Sequence, residues 1–551
     1  MKKTYLTFAL LLASASMMAQ TVYTNAELSS TSDVIGTARY VGMGGALGAL
    51  GADISAIGNN PAAIGMYRRS DIALTAGGMW QKDRAYQERN TGRGTFDQMG
   101  FVAAFRIDHP KVNFVNFSFN YQKKYNFGGA YYADNARLGG LSQADQFASL
   151  ANACLSQADQ FASLANAYYN EESSPYTLYG AAYDAYLYER DNQGFYNPYS
   201  AQRNRYSYYT GGSVQAFDIN FSTNISDRYY VGLTIGANNV DYDRFTSYTE
   251  ERNGSDGSIQ NYTIDSDQRI SGYGINLKAG TIIRPIEDNP FRVGLTVETP
   301  TWYNLKSSAI WDIWSKQYYD AETKQDMYLP DGYYKHSSAD DNYLEYNLRT
   351  PWRARVSMGS TIDRYFAWGL EYEYANYGKN HVTYPSGGYE PSWYDPYWDT
   401  FSSVKDIALN QQNKQVLKGQ HTVKLGFEFN ATDNLAIRMG YNYVSSMFKD
   451  GARLTQHINS YAMDYVSETG YMNLSDVNLI TCGLGYRFKR FYIDMAYRFR
   501  QQSGKYYAFD DSFTQEEGFI NDNPNLAGAT LQPVDVNLNR HTITCTLGIK
   551  F

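Results

Sequence analysis

The sequence predicts an all-β fold, a fourteen-stranded antiparallel transmembrane β-barrel with an N-terminal hatch inside the lumen. Three observations predict it: an export signal at the N-terminus, segments in which apolar and polar residues alternate, and a final strand that ends on an aromatic residue. Mean hydropathy is only −0.51, although 16% of the residues are aromatic. This combination suits strands that expose apolar groups on one face only.

The N-terminus has the organisation of a secretory signal peptide. Lys2 and Lys3 form a basic start, an apolar stretch covers residues 5–13, and small residues precede a cleavage site near Ala19 and Gln20. The apolar stretch is shorter than the ~20 residues that a membrane-spanning helix needs. The predicted division of the chain is a signal peptide in 1–20, a hatch in 21–69 and a barrel in 70–551.

The C-terminal segment 541–551 alternates strictly between two faces. Ile543, Cys545, Leu547, Ile549 and Phe551 share one face, and polar residues with one glycine occupy the other. This period of two predicts a strand with one apolar face. The terminal Phe551 is similar to the assembly signal of outer-membrane barrels, so we expect the barrel-assembly machinery as a partner during biogenesis.

The same alternation recurs along the chain and gives an even number of strands, as bacterial barrels require. The fourteen predicted strands cover residues 70–80, 97–106, 112–123, 213–223, 228–242, 269–283, 291–301, 345–361, 365–376, 421–430, 434–445, 476–488, 491–501 and 541–551. Six tight turns alternate with seven long loops rich in Tyr, Asn and Asp. Since short turns face the periplasm, both chain ends are expected on that side.

Strand parity assigns four arginines to the lumen. Arg353 and Arg355 alternate with apolar residues in the eighth predicted strand, Arg438 does so in the eleventh and Arg498 in the thirteenth. An Arg on the lipid face costs roughly 2–4 kcal/mol at the bilayer midplane. These lumenal arginines are candidates to contact the carboxylate head group of a ligand. The alternative is that they pair with lumenal acids or with hatch groups such as Asp53.

Two short motifs in the predicted hatch point to a family. A run of small residues begins Gly42-Met43-Gly44-Gly45-Ala46, and Asn60-Pro61-Ala62 follows it. Small residues permit close backbone packing in a confined bore, and the run fits neither glycine-rich nucleotide-binding pattern. The motifs resemble, by type and order, those of the FadL/TodX family of outer-membrane transporters for hydrophobic compounds, of which the chain resembles a Bacteroidetes-type member.

The resemblance implies uptake of a hydrophobic small molecule, with long-chain fatty acids as the default substrate. The ligand would enter through the outer loops and leave past the hatch. In the family an opening in the wall accompanies an inward kink of the third strand, but residues 112–121 contain neither Gly nor Pro to bend it. Some members in Bacteroidetes hold cargo proteins for type IX secretion instead, and this alternative stays open.

The longest predicted outer loop, about 124–212, contains a tandem repeat. Residues 141–154 recur as 155–168, with Cys154 replaced by Tyr168. Apolar residues fall at helical spacing in both copies. One interpretation is a helical pair that frames an apolar groove for the incoming ligand; the other is a duplication in a loop that tolerates insertion. The candidate groove residues are Leu141, Phe147, Leu155 and Phe161.

Other functions find little support in the sequence. Neither H-E-x-x-H nor G-x-S-x-G occurs, so we expect no enzyme activity, cofactor or metal. Haem uptake is an alternative with His457 and Met463 as the candidate axial ligands. The three cysteines are expected to be unpaired, and a net charge of −8 argues against a nucleic-acid partner. We expect a monomer surrounded by outer-membrane lipid.

Overall fold

The computed structural model describes residues 20–30, 33–81, 92–162, 178–190, 194–254, 259–320, 325–336, 343–385, 403–453, 467, 469–515 and 524–551. The helices are α1 (Gln20–Ser29), α2 (Ala38–Gly42), α3 (Gln143–Ala162), α4 (Leu178–Asp184) and α5 (Ile407–Val416). Short 3₁₀ helices cover Ile54–Gly58, Pro61–Met66, Tyr377–Lys379, Ser512–Gln515 and Pro524–Leu526. Within these ranges, no helix combines the length and apolarity needed to cross a bilayer.

The strands are β1 (Asp71–Gln81), β2 (Arg93–Arg106), β3 (Val112–Asn126), β4 (Gly129–Asn135), β5 (Glu189–Arg190), β6 (Phe195–Tyr196), β7 (Tyr199–Ile225), β8 (Tyr229–Gly254), β9 (Ile259–Ile283), β10 (Arg292–Glu298), β11 (Trp302–Asp320), β12 (Gln325–His336), β13 (Tyr343–Arg349), β14 (Arg353–Ile362), β15 (Phe366–Asn376), β16 (His381–Pro385), β17 (Ser403–Lys405), β18 (Gly419–Asn430), β19 (Leu435–Val444), β20 (Tyr471–Phe488), β21 (Phe491–Tyr507), β22 (Val534–Asn537) and β23 (Arg540–Lys550).

All of these strands except β5 and β6, which pair with each other in a separate sheet, belong to one antiparallel sheet that closes into a barrel. β1 pairs with β2 on one edge and with the last strand, β23, on the other. Ser70 and Phe551 exchange two backbone hydrogen bonds beside this seam. Some strands of the barrel wall consist of two segments: β10 and β11 follow each other in one wall strand, and β13 and β14 follow each other in the next. Counted in this way, the described wall contains fourteen strands, as predicted.

The predicted separation of faces is confirmed. Arg353 and Arg355 are buried on the inner face of β14, whereas Val356 and Met358 on the same strand are exposed. The free cysteines Cys482 and Cys545 lie on the outward face, and Cys154 falls outside the residues whose side chains are described. Since outward positions contact hydrocarbon, the period of two is strongest where the strand crosses the membrane.

Several strands extend much further outward than predicted. β7, β8 and β9 contain 27, 26 and 25 residues. The segment 124–212, which was expected to be a loop, contains β4 and the first part of β7. Beyond the membrane the outward face is polar or Tyr-rich, so the apolar alternation that marks a strand in the sequence is lost there.

Two neighbouring wall strands are interrupted at prolines. The predicted strand 345–361 divides into β13 and β14 around Pro351, whereas the predicted strand 291–301 ends as β10 at Glu298, and the wall strand resumes after Pro300 as β11 at Trp302. Proline donates no backbone hydrogen bond and is poorly tolerated inside a sheet. In the next wall strand the turn Tyr377–Lys379 separates β15 from β16. We call these aligned interruptions of three neighbouring strands the wall break.

The third strand, by contrast, remains paired on both edges. β3 pairs with β2 from Phe114 to Gln122, and with β7 along almost its whole length. The β3–β7 ladder shifts register near its two ends, between Val112 and Phe114 and between Lys123 and Tyr125, and it is regular between these points. The described wall is interrupted instead on the far side of the barrel, at the wall break.

Candidate ligand-binding cavity

Residues 33–69 lie against the inner face of the wall, and glycines allow the close approach. A Cβ added at Gly440 would lie 2.3 Å from the Gly44 nitrogen, and one at Gly426 would lie 2.2 Å from the Met43 carbonyl oxygen. A Cβ at Gly369 would meet the Ala46 carbonyl in the same way. Inward-facing glycines on three wall strands thus receive the Gly42–Ala46 run. Their role was not predicted, although glycine at lumenal parity is visible in the sequence.

The second motif is seated by hydrogen bonds. The Asn60 side chain accepts from the Ala62 amide at 3.0 Å and donates to the Gly48 carbonyl at 3.0 Å. Pro61 occupies the first position of the 3₁₀ helix, where its missing N–H has no partner to lose. A Cβ at Gly280 of the wall would overlap the Asn60 side-chain oxygen. Both motifs therefore serve to pack this segment into the bore.

A buried ion-pair network joins the same segment to the wall. Arg39 pairs with Glu428 at 3.0 Å, Glu428 pairs with Arg438 at 2.6 Å, and Arg438 reaches Asp494 at 2.5 Å. In this arrangement the Arg438 guanidinium is fully engaged by two acids. Asp53, which was considered as an arginine partner, instead accepts hydrogen bonds from Thr37 at 2.8 Å.

The other three predicted arginines are also lumenal and engaged. Arg355 pairs with Glu373 at 2.6 Å and with Glu298 at 2.8 Å. Arg353 donates to the Ser29 carbonyl at 2.6 Å. Arg498 donates to the Val34 carbonyl at 2.5 Å and lies 3.4 Å from Asp33. The structure therefore favours pairing with lumenal acids and with the N-terminal segment over contact with a ligand.

Above this layer, an aromatic cavity lies between α1 and the wall. Its volume is about 90 Å³. Tyr23 of α1 stacks on Phe448 with ring centroids 5.0 Å apart, and Phe127 meets Tyr242 edge-on at 4.9 Å. Its aromatic lining consists of Tyr23, Tyr125, Phe127, Tyr131, Tyr206, Tyr208, Tyr242, Phe448 and Tyr471. Such an aromatic lining favours an apolar or aromatic ligand in the cavity.

Among the charged side chains that line the cavity, positive charges outnumber negative ones. Glu27 from α1 and the three arginines Arg244, Arg500 and Arg540 all line it. Burial raises the pKa of Glu27 to about 7, although the three arginines favour its ionised form. Asp33, just below, lies 3.8 Å from Arg500 and 3.9 Å from Arg540. Burial opposes ionisation of Asp33 as well, but Arg498 and these two neighbours outweigh burial and lower its pKa.

The tandem repeat contributes side chains to a buried hydrophobic cluster on the extracellular side of the barrel. Leu141 and Phe147 are buried in a cluster with Leu187 and Tyr506, so they do not line an open groove in this structure. Ser142 accepts from the Ala144 amide at 3.0 Å and so caps α3. The other two candidate residues, Leu155 and Phe161, fall outside the residues whose side chains are described.

The fold and the cavity define an integral outer-membrane β-barrel with a filled periplasmic half and an aromatic cavity above it. No protein-family model and no curated protein matches the chain. Among solved structures, it is similar to a Pseudomonas aeruginosa FadL homologue, with 11% identity and a TM-score of 0.49 over 98% of this chain and 100% of the other.

Two toluene transporters show a similar relationship. The Ralstonia pickettii TbuX matches with 11% identity and a TM-score of 0.43 over 94% of this chain and 99% of its own. The P. putida TodX matches with 11% identity and a TM-score of 0.42 over the same shares. These proteins represent the family that the hatch motifs resemble.

Proposed function

We propose that the protein takes up hydrophobic compounds across the outer membrane, and that its substrates are long-chain fatty acids. The observation that carries this proposal is the cavity beside α1, where aromatic side chains surround three arginines and one acid. An acyl chain would pack against the Tyr and Phe rings, and its carboxylate would lie near Arg244, Arg500 and Arg540. Charge-assisted hydrogen bonds from arginine suit a carboxylate.

The size of the cavity implies movement of α1 during uptake. A volume of about 90 Å³ is well below the roughly 300–1,000 Å³ of a pocket for a drug-sized ligand. α1 is the element that can yield, because it is joined to the wall by side chains and not by a strand ladder. We propose that the ligand enters from the outer loops, displaces α1 and then passes the hatch, residues 21–69.

A binding experiment with matched ligands tests the proposal. The full-length processed protein in detergent is titrated with oleate and with oleyl alcohol, which differ only in the head group. We expect tighter binding of oleate in the wild type, and loss of that preference in Arg244→Gln. The matched control is Arg203→Gln, whose side chain pairs with Asp134 on the outside of the extended strands. Uptake of labelled oleate into proteoliposomes should be slower for Arg244→Gln than for the wild type and for Arg203→Gln.

The alternatives predict different outcomes. If the protein binds neither compound but co-purifies with a secreted protein, the type IX cargo function replaces uptake. A haem titration that produces a Soret shift would favour haem. No histidine lines the described cavity, and His457 and Met463 fall outside the described residues. Equal binding of oleate by wild type and Arg244→Gln would contradict the head-group site.

A further inference from the structure

A basic depression lies on the outer surface of the barrel, beside the wall break. Five nitrogen-rich side chains converge on it from β13, the turn after β15, β16, β17 and α5: Arg349, Lys379, His381, Lys405 and Lys414. The depression has a volume of about 470 Å³. No carboxylate lines it within the described part of the chain. This surface faces away from the lumen, so a ligand bound there would be independent of the proposed uptake function.

The depression exists because α5 takes the place of a strand. The Asn410 side chain accepts from the Val382 amide at 2.7 Å and donates to the Val382 carbonyl at 2.8 Å. The Asn410 amide thereby serves as the backbone partner of β16 at Val382, next to the point where β16 begins to pair with β17 at Thr383. The outward face of α5 then carries Gln411 and Lys414, which lie on neighbouring turns toward the depression.

The charges at this surface are uncompensated among the described residues. None of Arg349, Lys405 and Lys414 forms an ion pair there. The positive charge of each of the three disfavours a proton on the His381 imidazole. Asp406, which caps the N-terminus of α5, is buried. It accepts hydrogen bonds from the Tyr384 hydroxyl at 2.6 Å and from the Leu409 amide at 2.8 Å. A cluster of like charges held together in this way favours an anionic occupant.

The depth of the cluster identifies that occupant. Trp302 and Trp352 are exposed at the extracellular end of the apolar face, 52% and 61% respectively. Trp302 lies directly opposite Arg349 in the β11–β13 register. Aromatic girdles mark the level at which hydrocarbon gives way to head groups. The cations therefore begin where the head groups of the outer leaflet begin.

We propose that this depression binds the phosphate group of an anionic lipid in the outer leaflet. Arg349 and the three lysines would donate charge-assisted hydrogen bonds to the phosphate oxygens. The acyl chains of the same lipid would run along the apolar face past Trp352 and Val356. A bound lipid would cover the outside of the wall break, while Ser29 of α1 covers the inside.

The test uses the full-length processed protein in detergent and native mass spectrometry. It is titrated with lipid A that carries two phosphates, and with the same lipid after enzymatic removal of both. We expect the phosphorylated form to bind at least roughly tenfold more tightly, since each basic side chain near an anionic head group contributes to attraction. In the variant R349Q/K379Q/K405Q/K414Q that preference should disappear.

A second variant separates this site from general loss of charge. K111Q/R364Q/K489Q/R490Q removes four positive charges at the periplasmic turns and should retain the preference. Migration of the unheated protein on gels verifies that each barrel is folded; if the first variant does not fold, R349Q and K414Q singly should each weaken the preference. Equal binding of both lipids by the wild type, or equal loss in both quadruple variants, overturns the proposal. Displacement of the lipid by millimolar inorganic phosphate overturns it too, in favour of a site for free phosphate.

Discussion

The guanidinium of Arg353 donates a 2.6 Å hydrogen bond to the carbonyl oxygen of Ser29, and so joins the last residue of α1 to the wall break. Asn380, on the neighbouring wall strand, donates to the Ser29 side chain at 3.1 Å. The end of the helix is therefore held by the residues that border the interrupted strands. If ligand entry displaces α1, this contact is one that must open.

Replacing Arg353 with Met should loosen α1 without disturbing the rest of the wall. A hydrogen bond from a charged donor contributes about 1.5–3 kcal/mol, so exchange of the α1 amides should accelerate by roughly 10- to 100-fold. Hydrogen–deuterium exchange with mass spectrometry measures this directly. Glu373 keeps its closer partner Arg355, at 2.6 Å. The control Arg269→Gln removes an exposed pair with Asp243 and should leave α1 unchanged; equal protection in both variants would contradict the assignment.

Gly440→Val should prevent the Gly42–Ala46 run from seating. The new Cβ would lie 2.3 Å from the Gly44 nitrogen, and overpacking of this kind costs typically about 1–3 kcal/mol. We expect a lower thermal midpoint in detergent and larger ion currents through single barrels in planar bilayers. Gly58→Ala is the control, since nothing lies within 4 Å of a Cβ at that position. Unchanged currents in the valine variant would mean that the run does not close the bore.

Removing Arg39 should weaken the attachment of the N-terminal segment while the wall keeps its own ion pairs. In Arg39→Met, Glu428 retains Arg438 at 2.6 Å, so the carboxylate is not left unpaired. In Glu428→Leu, both arginines lose it, and breaking a buried pair in this way costs about 3–5 kcal/mol. Urea unfolding in detergent should therefore rank wild type above R39M and R39M above E428L. If E428L were more stable than R39M, the ion pair between Glu428 and Arg438 would contribute nothing to stability.

The pKa of Glu27, raised to about 7 by burial, predicts a pH dependence. A raised pKa means that folding favours the protonated acid. Its contribution is complete below the ordinary range near 4.5 and is lost as the pH rises toward and beyond 7. The thermal midpoint of the wild type should fall relative to Glu27→Gln between pH 5 and pH 8. Parallel curves for the two proteins would contradict the shift.

The same group should influence ligand binding. Protonation of Glu27 removes the negative charge that this side chain places beside Arg244, Arg500 and Arg540 in the cavity lining. If the carboxylate head group binds the neutral form, affinity for oleate at pH 8 should be about tenfold lower than at pH 6, from the ionised fraction above a pKa near 7. Fluorescence titration at the two pH values measures this, and Glu27→Gln should show no such difference.

Much of the barrel was predictable because lipid imposes a local rule on the sequence. Each membrane-crossing strand must alternate apolar and polar residues, so the strand number, the final strand 541–551 and the lumenal side of Arg353 and Arg438 followed from parity. The ends of β7, β8 and β9 did not, because beyond the membrane that rule no longer applies. Pro300 and Pro351 were visible in the sequence, but only their alignment in neighbouring strands makes the wall break.

The sequence by itself determined the barrel and the two motifs of residues 42–62, because each depends on residues close together in the chain. Tertiary structure alone decided the partners of the lumenal arginines, the glycines Gly369, Gly426 and Gly440 that receive the small-residue run, and the aromatic cavity beside α1. Many of these contacts join residues far apart in the chain, such as Arg353 and Ser29, which are 324 positions apart. Closing the cylinder brings them together, since the first strand must meet the last before an interior exists.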